Sequence, residues 1–234
     1  MKALARWIAL VVLAFVALQL FFIGRIAMMA LVDPQSTTFQ RSEAWRIATE
    51  KDKLRWRQQW VPYGRISDNL KRAVIASEDA SFAEHEGVDW DALERAWERN
   101  AKAEEAAARR AQLAPSRAKP VKIVGGSTIT QQLAKNLLLS GERTLLRKGQ
   151  EIVLTFGLEQ MLSKQRILEI YLNNVEWGEG VFGAEAASQH YFRKPASRLS
   201  PHEAARLAVM LPSPKFFEDR QGSGYLASRT STIV

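Results

Sequence analysis

Three groups of polar residues have the types and spacing of a reactive site. Glu78-Asp79 closes the helical stretch NLKRAVIASEDASF and is followed by Phe82, His85 and Gly87, in the pattern E-D-x-x-F-x-x-H-x-G. Adjacent acids cannot share one helical face, so one is expected to face a ligand while the other caps, pairs or meets solvent. A lone pair of this kind is ordinarily just a solvated helix end. The second group is Gly125-Gly126-Ser127-Thr128-Ile129-Thr130-Gln131-Gln132, a glycine-permitted turn entering a helix. The free N–H groups and dipole of a helix start suit an anion. One turn on, Gln132, Lys135 and Asn136 share a face, while Ile129, Leu133 and Leu137 form an apolar row. An ordinary capped amphipathic helix explains the same residues. The third group, Arg147-Lys148-Gly149-Gln150-Glu151, sets two cations three and four residues before a carboxylate. As an intrahelical ion pair this arrangement contributes only about 0.2–0.5 kcal/mol, and the cation-first order is the poorer one. Clamping a diphosphate beside an acid is the alternative use.

These groups need helices to position them, and the chain supplies helix signals throughout. Thr128 with Gln131 forms a capping box opening a helix through Leu139, and Ser163 opens another from Lys164 to about Asn173. Ser200-Pro201-His202-Glu203 opens a third, which Pro212 ends. In the helix after Ser163, Ile167, Ile170 and Tyr171 recur at core spacing, so that segment reads as structure rather than catalysis. The run from Gly178-Glu179-Gly180 through Gly183 to Lys194 reads as a tight link between helices that shapes a cleft. No stretch shows sustained period-2 alternation, so the body is expected to be mostly α.

Trp7 to Gly24 is an 18-residue run without formal charge, and the chain stays apolar from Ile26 to Val32. A spanning helix needs about 20 apolar residues, and Arg25 can snorkel to the headgroups. Lys2 and Arg6 precede the run and favour a cytoplasmic N-terminus. A cleaved signal peptide has a shorter apolar core, so a retained anchor is expected. Residues 1–32 are thus assigned to a cytoplasmic tip and anchor, 33–63 to a membrane-proximal connector, and 64–234 to the functional domain. Residues 101–122, alanine-rich and charged, lose helical character at Pro115 and are expected to form a mobile insertion.

The length, 234 residues, allows one enzymatic domain plus the anchor. A net charge of +8 favours anionic partners: nucleic acid, anionic lipid or a phosphate-bearing substrate. The absence of cysteine excludes disulfides, thiolate metal sites and cysteine nucleophiles.

The five motifs between residues 78 and 194, with GGSTITQQLAKN and ILEIYLNN nearly uninterrupted, resemble those of the monofunctional biosynthetic peptidoglycan glycosyltransferases. The anchor and the EAARLAVMLPSP stretch resemble that family too. The resemblance implies a lysozyme-like, mostly helical fold at the outer face of a bacterial cytoplasmic (inner) membrane, elongating β-1,4 glycan strands with inversion. Its partners would be lipid II, the growing lipid-linked glycan, membrane lipids, and other cell-wall synthesis or division proteins, with no nucleic acid. Glu78 matches the general base that activates the acceptor sugar's 4-hydroxyl, and Glu151 the second glutamate near the donor diphosphate. Lys135, Arg147 and Lys148 match phosphate-engaging cations. Ser127, Thr128, Gln132 and Asn136 match the polar donor-side wall, and Asp79, Phe82 and His85 match supports of the first motif. The chemistry agrees: a sugar hydroxyl needs a base, whereas a diphosphate leaves as a stabilised anion and needs fixed cations. No cofactor is demanded. Magnesium or manganese bridging the diphosphate and Glu151 is left open, although no His/Cys ligand cluster occurs.

Two departures from the family pattern stand out. The segment between the first two motifs, expected to dip apolar side chains into the membrane, is largely Ala, Arg, Lys and Glu. Trp90, Leu93 and Trp97 could replace it in part, although their helical spacing more often means core. Ser116-Arg-Ala-Lys119 and Ser67-Asp-Asn69 match two transpeptidase motifs, but in reversed order and without K-T-G, and are read as coincidence. The rival functions are a glycan-cleaving enzyme of similar fold and a non-catalytic membrane scaffold.

Overall fold

Helix α1, Lys2–Met28, is long and apolar enough to cross a membrane, and most of its side chains are exposed. The computed structural model describes residues 1–51, 55–113, 125–139, 141–142 and 144–234. Among them the chain is predominantly helical. After α1 come α2 (Thr38–Glu50), α3 (Asp68–Glu78), α4 (Trp90–Leu113), α5 (Ile129–Leu138), α6 (Leu145–Met161) and α7 (Lys164–Asn174). Then follow α8 (Ala184–Phe192), α9 (Pro201–Met210), α10 (Pro214–Glu218) and α11 (Gly224–Ile233).

The capping signals place the helix starts. Thr128 and Ser200 head complete capping boxes at α5 and α9, and the Ser163 side chain accepts the Arg166 N–H at the start of α7. The apolar rows then bury. Ile129, Leu133 and Leu137 of α5 are fully enclosed, as are Ile167, Ile170 and Tyr171 of α7, Leu70 and Val74 of α3, and Leu207 and Ala208 of α9. Each such aliphatic side chain contributes about 1.5–3 kcal/mol when withdrawn from water. α5 is the centre of one half, packing on α2, α6 and α7, while α9 packs on α3 and α11 in the other.

Within the segment assigned as connector, α2 and β1 pack on the helical body. Thr37 heads a capping box at α2, Ile47 is buried, and Thr38 Oγ1 donates to the Leu137 carbonyl of α5 at 3.0 Å. Arg57–Gln58 forms β1, which pairs in parallel with β3 (Val181–Phe182); β3 pairs antiparallel with β2 (Glu176–Gly178). This small sheet was not legible as alternation because its strands are two or three residues long. The glycine-rich link is its hairpin. Gly180 has φ +70°, and a Cβ there would stand 1.9 Å from the Arg55 carbonyl, so only glycine fits.

Helix α4 continues through residues 101–113 of the expected insertion; the remainder, with the Ser116–Lys119 match, lies outside the described residues. Trp90, Leu93 and Trp97 are not core: they are 61%, 44% and 76% exposed. Their helical spacing marks a face, and only packing says whether that face is covered.

Beside the hairpin, Glu176 is buried among Glu43 and Lys215, and its Oε1 accepts no hydrogen bond although Lys215 Nζ is 3.3 Å away. Burial, opposed by Lys215 and reinforced by Glu43 and Glu179, lifts its pKa from 4.5 to about 7. A carboxyl raised in the folded state stabilises the fold fully below its unfolded pKa, and that stability is lost as pH rises through the folded value. Between about pH 4.5 and 7 this group therefore costs on the order of 3 kcal/mol. Glu176→Gln is expected to flatten the fall in melting temperature over this window. Parallel pH profiles for variant and wild type would refute the assignment.

Candidate active site

Glu78 is the last residue of α3, and its half-buried carboxylate lines a cleft of about 610 Å³. Asp79, Ser127 and Thr128 line the same cleft, with Arg95 and Arg99 of α4. The Glu78 pKa is raised by burial and by the adjacent Asp79, against a lowering hydrogen bond from Gln132. Gln132 Nε2 donates to Glu78 Oε2 at 2.9 Å. The amide is held in that orientation from behind, because Tyr171 Oη donates to Gln132 Oε1 at 3.0 Å. Burial and the charges of Glu78 and Asp79 push the Tyr171 phenol well above its ordinary pKa, so it stays a donor.

The two adjacent acids divide as their helical geometry requires. Asp79 turns inward and is buried. Its Oδ2 accepts the Ile129 N–H at 2.9 Å, and its Oδ1 meets His85 Nε2 at 2.8 Å. His85 Nδ1 accepts the Gly87 N–H at 3.0 Å, which leaves Nε2 as the protonated nitrogen facing Asp79. Phe82 packs edge-on to the His85 ring, and Lys164 Nζ lies 4.7 Å above the Phe82 ring. Asp79, Phe82 and His85 thus tie the end of α3 to the start of α5.

The same contacts correct one expectation. The start of α5 does not offer all its N–H groups to an outside anion: Asp79 takes that of Ile129, and Thr128 Oγ1 takes that of Gln131 at 3.1 Å. The Thr128 hydroxyl also donates to the Gly87 carbonyl at 2.6 Å, so it is fully used in capping. Ser127 remains exposed at the cleft. Gly126 sits in close approach rather than in a turn conformation that needs glycine, because a Cβ would stand 3.1 Å from the Leu93 Cα of α4.

The second charged group lies on α6. Buried Glu151 accepts from Arg147 Nη1 at 2.8 Å and from Lys148 Nζ. Arg147 Nε is buried and makes no hydrogen bond. Gln132, Lys135, Asn136, Arg147, Lys148 and Glu151 are not part of the described lining of the Glu78 cleft. The site residues therefore fall into two groups bridged by α5, whose Gln132 reaches Glu78 and whose Thr130 Oγ1 donates to Glu159 of α6 at 2.6 Å. Among the described residues no cluster of three or more His, Asp or Glu is placed to hold a metal ion.

A half-buried carboxylate beside a cleft, and two cations paired with a buried carboxylate on α6, stand in the order that the motifs follow along the chain. The family model for the transglycosylases matches residues 46–234. The chain belongs to the transglycosylase family. It is similar to the biosynthetic peptidoglycan transglycosylase of Burkholderia thailandensis, 50% identical over all of this chain and 86% of the relative. It is similar also to that of a Janthinobacterium species, at 49% over all of this chain and 95% of the relative. The Herminiimonas arsenicoxydans protein of the same description is 48% identical, again over the whole chain and 95% of the relative.

Sequence reasoning missed two features of this transglycosylase. Arg95 and Arg99 have i, i+4 spacing on α4 and so share a face, a signal hidden among the other charges of that helix. Tyr171, read as core, is core and also the support of Gln132. Tyr171→Phe is expected to lower kcat about fivefold by freeing that amide, the effect of losing one hydrogen bond. Steady-state kinetics at matched folded fraction test this, and unchanged kcat would remove Tyr171 from the site.

Proposed function

We propose that this transglycosylase polymerises peptidoglycan glycan strands from lipid II, with Glu78 as the base that takes the proton from the acceptor sugar's 4-hydroxyl. The oxygen attacks the anomeric carbon of the donor, the bond to the donor diphosphate breaks, and the leaving diphosphate departs with its negative charge. Single displacement inverts an α-linked donor to a β-1,4 product. The carrying observation is a desolvated, amide-oriented Glu78 at a cleft that also holds Arg95 and Arg99. Raised basicity suits proton abstraction near neutral pH.

Arg147 and Lys148 supply fixed positive charge for the diphosphate, with the exposed Lys135 of α5 as a third cation. The buried, unsatisfied Nε of Arg147 supports an anion there, as guanidinium forks match phosphate oxygens. Glu151 holds the two cations in place and faces the same ligand. Ser127, Gln132 and Asn136 contribute the polar wall, and Asp79, Phe82 and His85 fix the position of Glu78. In this reading the chemistry takes place at the periplasmic face of the cytoplasmic membrane, beside the lipid-borne substrate and other wall-synthesis proteins; the apolar α1 and the Lys2 and Arg6 that precede its uncharged run support it.

Purified protein given lipid II in detergent is expected to yield glycan polymer of graded length. Absence of polymer where a known polymerase works would sink the proposal, and fragments released from finished peptidoglycan without a lipid donor would replace it with hydrolysis.

A further inference from the structure

Helices α1 and α6 run side by side in the same direction. The side-chain amides of Gln19 and Gln150 exchange two hydrogen bonds, Gln19 Nε2 to Gln150 Oε1 at 3.1 Å and the reverse at 2.9 Å. One heptad further along both helices, Ile26 Cδ1 lies 3.3 Å from where a Cβ on Gly157 would stand. On α1 the residues drawn in from solvent include Gln19, Phe22, Ile26 and Met29, a 3-4-3 spacing. That is the seam of a short parallel coiled coil, with Gly157 as the small residue that permits close approach. Arg25, also partly withdrawn from solvent, lies just past the uncharged run from Trp7 to Gly24, whereas Gln19 is the polar residue at a seam position inside that run.

An amide within hydrocarbon needs a partner, and a single polar residue at a seam position fixes register because any slip leaves both amides unpaired. Gln150 immediately precedes Glu151, and Lys148 and Arg147 lie within the turn before it. Because the helices are parallel and α1 leaves the membrane at its C-terminal end, the N-terminal end of α6 is the deeper one. It begins with Leu145 and Leu146, both almost wholly exposed, followed by the cations and then the amide. Past the seam, Arg166 fixes the exit of the anchor by donating from Nε to the Met29 carbonyl and from Nη2 to Asp33.

We propose that the Gln19–Gln150 amide pair is a register clasp between the anchor and α6, which sets the depth of Arg147, Lys148 and Glu151 relative to the bilayer. A diphosphate carried on a polyprenyl chain arrives at a height fixed by its own lipid, so the clasp matches protein cations to lipid phosphate. Gln19 and Gln150 are positioning residues that touch no substrate. This inference rests on the polymerase reading for its kinetic part alone.

The chain has no cysteine, so paired cysteines report register without background. In membranes treated with oxidant, Gln19→Cys with Gln150→Cys is expected to form an intramolecular disulfide. The pair one turn off, Phe15→Cys with Gln150→Cys, should form at least about fivefold less. Equal cross-linking of the two pairs, or none in the first, overturns the clasp. In lipid vesicles, Gln19→Leu is expected to raise KM for lipid II about three- to tenfold, the range of one interhelical hydrogen bond in a membrane, with kcat within about twofold. The oxidised Gln19→Cys/Gln150→Cys protein should recover the wild-type KM, and reduction should lose it again. A KM unchanged in Gln19→Leu overturns the clasp as well. If the wild type makes no polymer, the functional reading fails while the cross-linking pattern still decides the clasp.

Discussion

Glu78→Gln is expected to reduce glycan polymerisation at least about a hundredfold, within the range that a positioned general base contributes. The substitution keeps the shape and can still accept the hydrogen bond from Gln132, so what it removes is the capacity to take a proton. Folding is not the cause of the loss. Burial raises the Glu78 pKa, so its ionised form costs stability at neutral pH, and a neutral amide relieves that cost. The variant should therefore melt at or above the wild-type temperature near pH 7, and at acid pH the advantage should vanish. In the wild type, kcat/KM should rise with pH through a value above the ordinary carboxylate range, because the base works only when deprotonated. Activity in the variant within about tenfold of wild type would exclude Glu78 as the base.

Asp79→Asn carries the second large effect, and here stability and activity are expected to fall together. Both Asp79 oxygens face donors, the Ile129 N–H and the protonated Nε2 of His85, in a buried site. Asparagine has one acceptor oxygen and one NH2, so one of the two donors must meet another donor. Leaving a buried donor unpaired in a charged arrangement costs about 2–4 kcal/mol. For a domain of this size that lowers the melting temperature by roughly 5–15 °C. Hydrogen exchange at the first turn of α5 should accelerate with it, and polymerisation should drop about tenfold as the end of α3 loosens. A variant with wild-type stability would show that Asp79 does not tie α3 to α5.

The contrast between these neighbours shows where sequence reading stops. Helical geometry alone states that Glu78 and Asp79 point apart. Which of them turns inward depends on α5, fifty residues later, offering the Ile129 N–H to one side only. In the same way, the pattern G-G-S-T announced a helix start with free N–H groups, and the fold filled that start with Asp79 before any ligand could. Trp90, Leu93 and Trp97 have core spacing but remain exposed, because periodicity identifies a face without saying what covers it.

By itself the sequence determined what depends on near neighbours along the chain. It set the helix starts at Thr128, Ser163 and Ser200, whose caps act over three residues, and the apolar rows of α5 and α7, which follow from 3.6-residue periodicity. It also determined the length of the anchor and, through five motifs in order, the family. Tertiary structure decided whatever required two distant segments to meet. It packed α2 against α5, brought Arg95 and Arg99 to the Glu78 cleft, set Tyr171 behind Gln132, and laid Gln19 of the anchor against Gln150. Those contacts join side chains from separate elements, and no local propensity or periodicity encodes which separated elements will pack together.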